Sequence, residues 1–240
     1  VSGVLSRRQK RLWSLILSDA PIQNPDKEMV LEAFISGIRQ TVRQNGLAVL
    51  PWDKASDNLR ARINLLHRAG VSEGVEFPDL SDEWLADNLE EWLKPWCAGM
   101  TRLEHLKRLD MKAVITGLLS WQSREALDRL APTHFTVPSG SSIAIDYTAG
   151  GQPVLAVRLQ EMFGSATTPS IAGGRVPLLL HLLSPAGRPV QVTSDLVGFW
   201  VSSYHMVKKE MKGRYPRHHW PDDPMEAEPA RGIRRRKIED

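Results

Sequence analysis

The side chains best suited to chemistry are basic and lie near the end of the chain. Five of them fall within ten positions: Lys208, Lys209, Lys212, Arg214 and Arg217. Lysine and arginine contact phosphates without reading base sequence, and such binding weakens steeply with salt. Tyr215 and Trp220 lie in the same segment, and aromatic rings stack on the bases of single strands. The pattern fits two interpretations equally well: a nucleic-acid-binding surface, or a solvated helix end whose lysines complement the helix dipole.

The sequence does not contain the motifs of a nucleotide-hydrolysing or metal centre. A phosphate-binding loop has the form G-x-x-x-x-G-K-[ST], and the nearest stretch, Gly173-Gly174-Arg175, lacks the lysine and the hydroxyl. His218 and His219 are adjacent, and adjacent side chains rarely converge on one ion. Asp146 and Glu161 have no evident partner for acid–base work. We therefore predict no catalytic, cofactor-binding or metal-binding residues in this chain.

Composition and charge are those of a globular protein. Of the 240 residues, 42% are apolar and 25% are charged. The single cysteine, Cys97, excludes an internal disulfide and favours a reducing compartment. No apolar run approaches the roughly 20 residues that cross a bilayer, so we expect no membrane insertion. The net charge of +3 arises within residues 133–240, whereas residues 71–93 are acidic.

Four segments are predicted along the chain. Residues 1–21 are interpreted as the remnant of a preceding strand-rich domain, because the apolar run Leu12–Leu17, itself a candidate strand, is too short for a signal peptide. Residues 22–131 are predicted to be helical. Residues 132–221 are predicted to form a small domain, and residues 222–240, which lack apolar periodicity, are predicted to be a disordered charged tail.

Helix and strand signals give this outline more detail. Ser81 is predicted to cap a helix, and the tryptophans from Trp52 to Trp121 are predicted to lie in the core. In the small domain, alternating apolar residues predict strands, and the turn residues of 184–189 predict a hairpin. Ser194 or Asp195 is predicted to cap a last long helix, which ends at Gly213. The fold class predicted is α+β, with a helical region followed by mainly antiparallel strands and two helices.

Four stretches of the small domain carry a family resemblance. They read A-P-T-H-F-T-V-P-S-G-S, V-L-A-V-R-L-Q-E-M-F-G, G-G-R-V-P-L-L-L-H-L-L-S-P-A-G-R-P-V-Q-V-T and M-K-G-R-Y-P-R-H-H-W-P-D-D-P. Together they resemble the C-terminal domain of bacterial HrpB-type ATP-dependent helicases, relatives of the DEAH-box RNA helicases. The preceding helical part is similar to the less distinctive segment that adjoins this domain in the family.

The resemblance implies an accessory module of a cytoplasmic RNA helicase. It implies that ATP and Mg²⁺ belong to motor domains outside this sequence. The implied partners are single-stranded RNA or another nucleic acid, together with those motor domains. A protein–protein docking module without nucleic-acid contact is the alternative, with the acidic residues 71–93 or an apolar groove as its contact surface. An enzyme in its own right is disfavoured, because no paired catalytic residues are evident.

Overall fold

The fold is that of a computed structural model, which describes residues 3–70 and 74–232. The chain forms two compact units. Unit 1 consists of Val1–Asn64 and Phe77–Arg124, and unit 2 of Leu65–Glu76 and Glu125–Asp240. Helices dominate the first half and strands the second, so the predicted α+β class is confirmed.

The first half contains six α-helices and three 3₁₀ turns within the described residues. The α-helices are α1 (Lys27–Asn45), α2 (Lys54–Arg68), α3 (Asp82–Asp87), α4 (Leu89–Trp92), α5 (Met111–Gly117) and α6 (Trp121–Leu130). The 3₁₀ turns are Leu47–Val49, Lys94–Cys97 and Leu103–Arg108. Ser81 caps α3 as predicted, because its Oγ accepts a hydrogen bond of 3.2 Å from the Trp84 amide.

Unit 1 is built around an apolar core that contains the buried ring of Trp92, with the half-buried Trp52 packed against it. The rings of Trp52 and Trp92 stack with centroids 6.4 Å apart, and Trp92 Nε1 donates to Leu85 O at 2.8 Å. The prediction that all tryptophans from Trp52 to Trp121 are core residues is wrong for two of them. Trp96 is 43% exposed and Trp121 is 70% exposed, because apolar periodicity marks a helix face without showing whether another element covers it.

An exposed hairpin precedes these helices. Strands β1 (Arg7–Leu12) and β2 (Leu15–Pro21) pair antiparallel, and every residue in both is exposed. The run Leu12–Leu17 is therefore the tip of a hairpin, with its turn at Trp13, and the predicted single strand is wrong. The backbone of Trp13 has a φ of 55°, a left-handed turn conformation that a periodicity argument does not detect.

Unit 2 contains a five-stranded sheet. Its strands are β3 (His134–Thr136), β4 (Ser142–Asp146), β5 (Val154–Arg158), β8 (Leu179–Leu183) and β9 (Pro189–Thr193), in the spatial order β3-β4-β5-β8-β9. All neighbours are antiparallel except β5 and β8, which are parallel. The two-residue strands β6 (Ser170–Ile171) and β7 (Val176–Pro177) form a separate pair. The predicted hairpin turn joins β8 to β9.

One face of this sheet is buried and the other is largely open. The buried face carries Ile145, Leu155, Val157, Leu180 and Leu182, each no more than 3% exposed. Successive side chains of a strand point to opposite faces, so the residues between these belong to the other face. Ala144, Ala156 and Arg158 on that face are exposed.

Candidate nucleic-acid interface

The predicted basic segment lies on the second of two consecutive helices, α7 (Leu196–Ser202) and α8 (Tyr204–Arg214). Asp195 caps α7, accepting a 2.9 Å hydrogen bond from the Gly198 amide. The prediction of one continuous helix ending at Gly213 is wrong in two respects. The helix is interrupted at Ser203, and α8 continues through Gly213 to Arg214. Pro216 accounts for the end, because a proline disfavours helical backbone in the residue before it.

A cluster of aromatic side chains fixes the position of both helices. Trp200 and Tyr204 pack edge to face with centroids 5.4 Å apart, and both rings contact Phe163 at 6.0 Å. Trp200 Nε1 donates to Ser165 O at 3.0 Å. Each of these rings is buried. The face of α8 that carries Tyr204 and Met211 is therefore held in the interior, and the lysines occupy the remaining faces.

The three lysines of α8 have different surroundings. Lys208 is mostly enclosed, with 18% of its side chain exposed, and its Nζ forms an ion pair with the Asp222 carboxylate. The hydrogen bond from Lys208 is the main cause that lowers the pKa of Asp222 below its ordinary value. Lys209 and Lys212 are exposed, and they lie three positions apart on one side of the helix.

The arginines beyond the lysines are also open to solvent. Arg214 is 64% exposed and forms a 3.1 Å ion pair with Glu210, which is itself 56% exposed. Arg217 is exposed in the segment after the helix. We refer to Lys209, Lys212, Arg214 and Arg217 as the basic surface.

The two aromatic residues predicted to stack on bases differ in how far they are exposed. Trp220 is only 8% exposed, and its Nε1 donates to Tyr215 O at 3.0 Å. Its ring is part of the interior, so the predicted stacking role is wrong for Trp220. Tyr215 is half-buried and packs edge to face on His218, with centroids 6.0 Å apart.

The segment after Trp220 is held against the rest of unit 2 by backbone hydrogen bonds. Pro224 O accepts from the Gly164 amide at 2.9 Å, and the Ala230 amide donates to Gln160 O at 2.9 Å. Arg231 Nε donates to Ser139 O at 3.1 Å. The prediction of a disordered tail from residue 222 is therefore wrong for residues 222–231, which we call the strap. Residues 233–240 of the predicted tail lie outside the described part of the chain.

Comparison with known proteins decides the family. Residues 92–224, more than half of the chain, match the family described as ATP-dependent helicase C-terminal. The chain belongs to this family. It is 46% identical over 224 residues to the ATP-dependent RNA helicase HrpB of Escherichia coli strain K12, a match that covers 93% of this chain and 27% of that protein. The family resemblance predicted from the four motifs is thus confirmed.

Solved structures agree with this assignment. The crystal structure of the E. coli DExH-box NTPase HrpB superposes with a TM-score of 0.75 at 42% identity, covering 95% of this chain and 29% of that one. A second structure, of the Escherichia coli DEAH/RHA helicase HrpB, gives a TM-score of 0.66 at 41% identity over 91% of this chain and 28% of that one. The chain therefore spans less than a third of the relatives that it matches.

The residues that match the ATP-dependent helicase C-terminal family include a buried polar cluster that was not predicted from the sequence. The Glu161 side chain is 5% exposed. It accepts a 2.8 Å hydrogen bond from Ser139 Oγ, and Arg158 Nη1 lies 3.8 Å from its other oxygen. Glu161 thus holds the Ser139–Ser141 turn beside the end of β5. The P-S-G-S and R-L-Q-E motifs contain these residues, but Ser139 and Glu161 lie 22 positions apart, and neither motif indicates that the two are in contact.

Across 3–70 and 74–232, no group of three or more histidine, cysteine, aspartate or glutamate side chains is arranged to hold a metal ion. Within the same residues, no helix combines the length and apolar character needed to span a bilayer.

Proposed function

We propose that this chain is the C-terminal accessory module through which an ATP-dependent RNA helicase contacts a single strand of RNA. In this proposal it also packs on the motor domains of the same polypeptide, which supply the ATP and Mg²⁺ sites. The RNA assignment is supported by the 46% identical relative, which is an ATP-dependent RNA helicase. The single observation that carries it is the basic surface at the end of α8.

Exposure and spacing support a role in phosphate contact. Lys209 and Lys212 share one side of α8, both are exposed, and neither forms an ion pair within the described residues. Arg214 is paired with Glu210, but an exposed ion pair is worth at most about 1 kcal/mol. A phosphate can therefore replace the Glu210 carboxylate as its partner. Arg217 extends the positive charge past the helix end, where the chain turns after Pro216.

Lys208 is assigned a different role from the rest of the predicted site. Its ammonium group is already paired with Asp222 of the strap, and its side chain is mostly enclosed. We propose that it fixes the strap to α8 and does not contact phosphate while that pair is intact. The docked ring of Trp220 belongs to the same attachment.

A salt titration tests the proposal. A fluorescein-labelled 15-nucleotide oligouridylate is titrated with the chain at several salt concentrations, and binding is measured by fluorescence anisotropy. Changing Lys209, Lys212 and Arg217 together to alanine should flatten the slope of log K against log salt by about 2, since each single-strand phosphate contact contributes about 0.7. Affinity should fall for all sequences alike, because phosphate contacts do not read bases.

A matched variant controls for net charge. Lys107, Arg108 and Lys112 are exposed basic residues of unit 1, and changing them to alanine removes the same three charges. This control should leave the slope nearly unchanged. An unchanged slope in the α8 variant refutes the proposal, and so does an equal flattening in both variants, which would mean that only net charge matters.

The exposed hairpin favours a second candidate function, docking to another protein segment. Trp13 is 94% exposed, Leu15 67% and Leu17 63%, and a two-stranded hairpin alone is marginally stable in water. An apolar tip of this kind is typical of a surface that another segment covers. The acidic stretch proposed from sequence is less suited to docking, since Asp82 pairs with Arg60 and Glu90 with Arg39.

A further inference from the structure

The open face of the five-stranded sheet presents an ordered row of side chains across its full width. The register pairs His134 with Ala144, Ala156 with His181, and His181 with Val192. Ile145 pairs with Leu155, and continuing that register by one residue places Ala144 beside Ala156. The row therefore reads His134, Ala144, Ala156, His181, Val192 from β3 to β9. All of these except the half-buried His181 are exposed.

The chemistry of this row is unlike that of a protein-docking surface. Its centre is formed by two alanines, whose methyl groups leave the backbone of the sheet open to close approach. An imidazole lies on each side of them, and β3 and β8 are three strand spacings apart, roughly 14 Å. Protein interfaces are centred on large aromatic or aliphatic anchors. The only large apolar side chain exposed in this row is Val192, at 49%.

Arg158 connects this face to the basic surface. It is two residues beyond Ala156 on β5, so it points to the same open side, and its side chain is 48% exposed. Burial, followed by the positive charge of Arg158, lowers the pKa of His218. Gln160 Nε2 also donates to His219 O at 3.0 Å. His219, two residues beyond Arg217 of the basic surface, therefore lies beside Gln160, two residues beyond Arg158.

We propose that a single strand of RNA continues from the basic surface past Arg158 and lies across the open sheet face, with bases over Ala144 and Ala156 and between His134 and His181. This inference rests on the proposed function and adds to it the surface that contacts the bases. The alanines admit flat bases close to the sheet, and imidazole rings are among the side chains on which unpaired RNA bases stack. Arg158, which is 48% exposed although its Nη1 lies 3.8 Å from the Glu161 carboxylate, supplies the phosphate contact where the strand passes from helix to sheet.

Substitution at the centre of the face tests this path with a charge-matched control. Ala156→Glu puts a carboxylate where the strand would lie, whereas Ala186→Glu adds the same charge to the exposed turn between β8 and β9. With the 15-nucleotide oligouridylate, Ala156→Glu should weaken binding on the order of ten-fold, since like charges held together repel strongly. Ala186→Glu should change it less than two-fold. Ala144→Glu, on the neighbouring strand, should reproduce the Ala156→Glu loss, and thermal melting checks that each variant is folded.

Removing the imidazoles distinguishes base contact from phosphate contact. Changing His134 and His181 together to alanine should weaken oligouridylate binding about five-fold or more, because stacking contributes at each base. The salt slope should stay the same. An abasic ribose-phosphate strand of equal length should bind wild type and this variant alike.

The outcomes separate this inference from the function on which it rests. If the wild-type chain binds no oligonucleotide, or the α8 variant keeps its salt slope, the proposed function fails. If the α8 variant behaves as expected while Ala156→Glu matches Ala186→Glu, only the sheet-face path is overturned. It is also overturned if Ala156→Glu leaves RNA affinity intact and instead breaks binding to the remainder of the parent helicase, since the face is then a protein interface.

Discussion

Replacing Trp220 separates a structural role from a nucleic-acid role for the segment after α8. A tryptophan buries roughly 150–250 Å² on folding, which at about 25 cal/mol per Å² corresponds to about 4–6 kcal/mol as an upper estimate. Trp220 is 8% exposed, so nearly all of that area is lost in Trp220→Ala. We expect a loss of about 3–5 kcal/mol in the free energy of unfolding, the usual range for truncating a buried aromatic residue.

A second variant isolates the hydrogen bond of the indole. Trp220→Phe keeps most of the apolar contact but leaves Tyr215 O without the donor found at 3.0 Å. Tyr215 O still accepts from the His218 amide at 3.1 Å, so only the net contribution of the indole hydrogen bond is lost, about 0.5–1.5 kcal/mol. This variant should therefore be destabilised less than Trp220→Ala.

Urea unfolding followed by circular dichroism measures both variants, and anisotropy with the oligouridylate measures binding under native conditions. We expect a large loss of stability in Trp220→Ala and little change in RNA affinity for the fraction that remains folded. A stability loss below about 1 kcal/mol together with clearly weaker binding would refute it. That pattern would mean that the ring is available to bases after all.

Two further predictions concern the strap and the hairpin. Asp222→Asn removes the partner of Lys208, so the salt slope of RNA binding should steepen by about 0.7 if the released lysine reaches a phosphate; an unchanged or flatter slope contradicts the assignment of Lys208. Because Lys208 lowers the pKa of Asp222 from 3.8, the pair is present at the neutral pH of this assay and is lost only as the pH falls through that lowered pKa. Trp13→Ser should leave the unfolding midpoint unchanged, since Trp13 is 94% exposed, but should weaken binding to the remainder of the parent helicase in calorimetry. Equal binding by the variant and wild type would count against hairpin docking.

Local signals in the sequence predicted the elements that depend on neighbouring residues. The caps at Ser81 and Asp195 and the turn between β8 and β9 are set within a few positions, and the structure confirms all three. The parallel pairing of β5 with β8 was not predicted. Both strands are short apolar runs separated by about twenty residues, and such runs do not specify which neighbour they pair with or in which direction.

The strap and Trp220 escaped prediction for a related reason. The strap is held by backbone groups, such as Pro224 O on the Gly164 amide, and backbone bonding leaves no periodic apolar pattern. Trp220 follows a run of basic residues, and the composition of that segment suggested an exposed aromatic side chain. Its burial depends on the turn after Pro216, which brings the indole back to Tyr215 O. Both features depend on tertiary contact that residue type alone does not encode.

The strap affects the proposed RNA surface by pairing with one of the basic side chains of α8 and not with the others. Lys208 and Asp222 are joined across the boundary between α8 and the strap, whereas Lys209 and Lys212 face solvent one and four positions further along. The strap thus neutralises one lysine and leaves its neighbours exposed. The same segment hydrogen-bonds to Gly164, Gln160 and Ser139, and Ser139 in turn donates to the buried Glu161 carboxylate. Attachment of the strap therefore links the helix that carries the basic surface to the end of β5, where Arg158 begins the proposed path across the sheet.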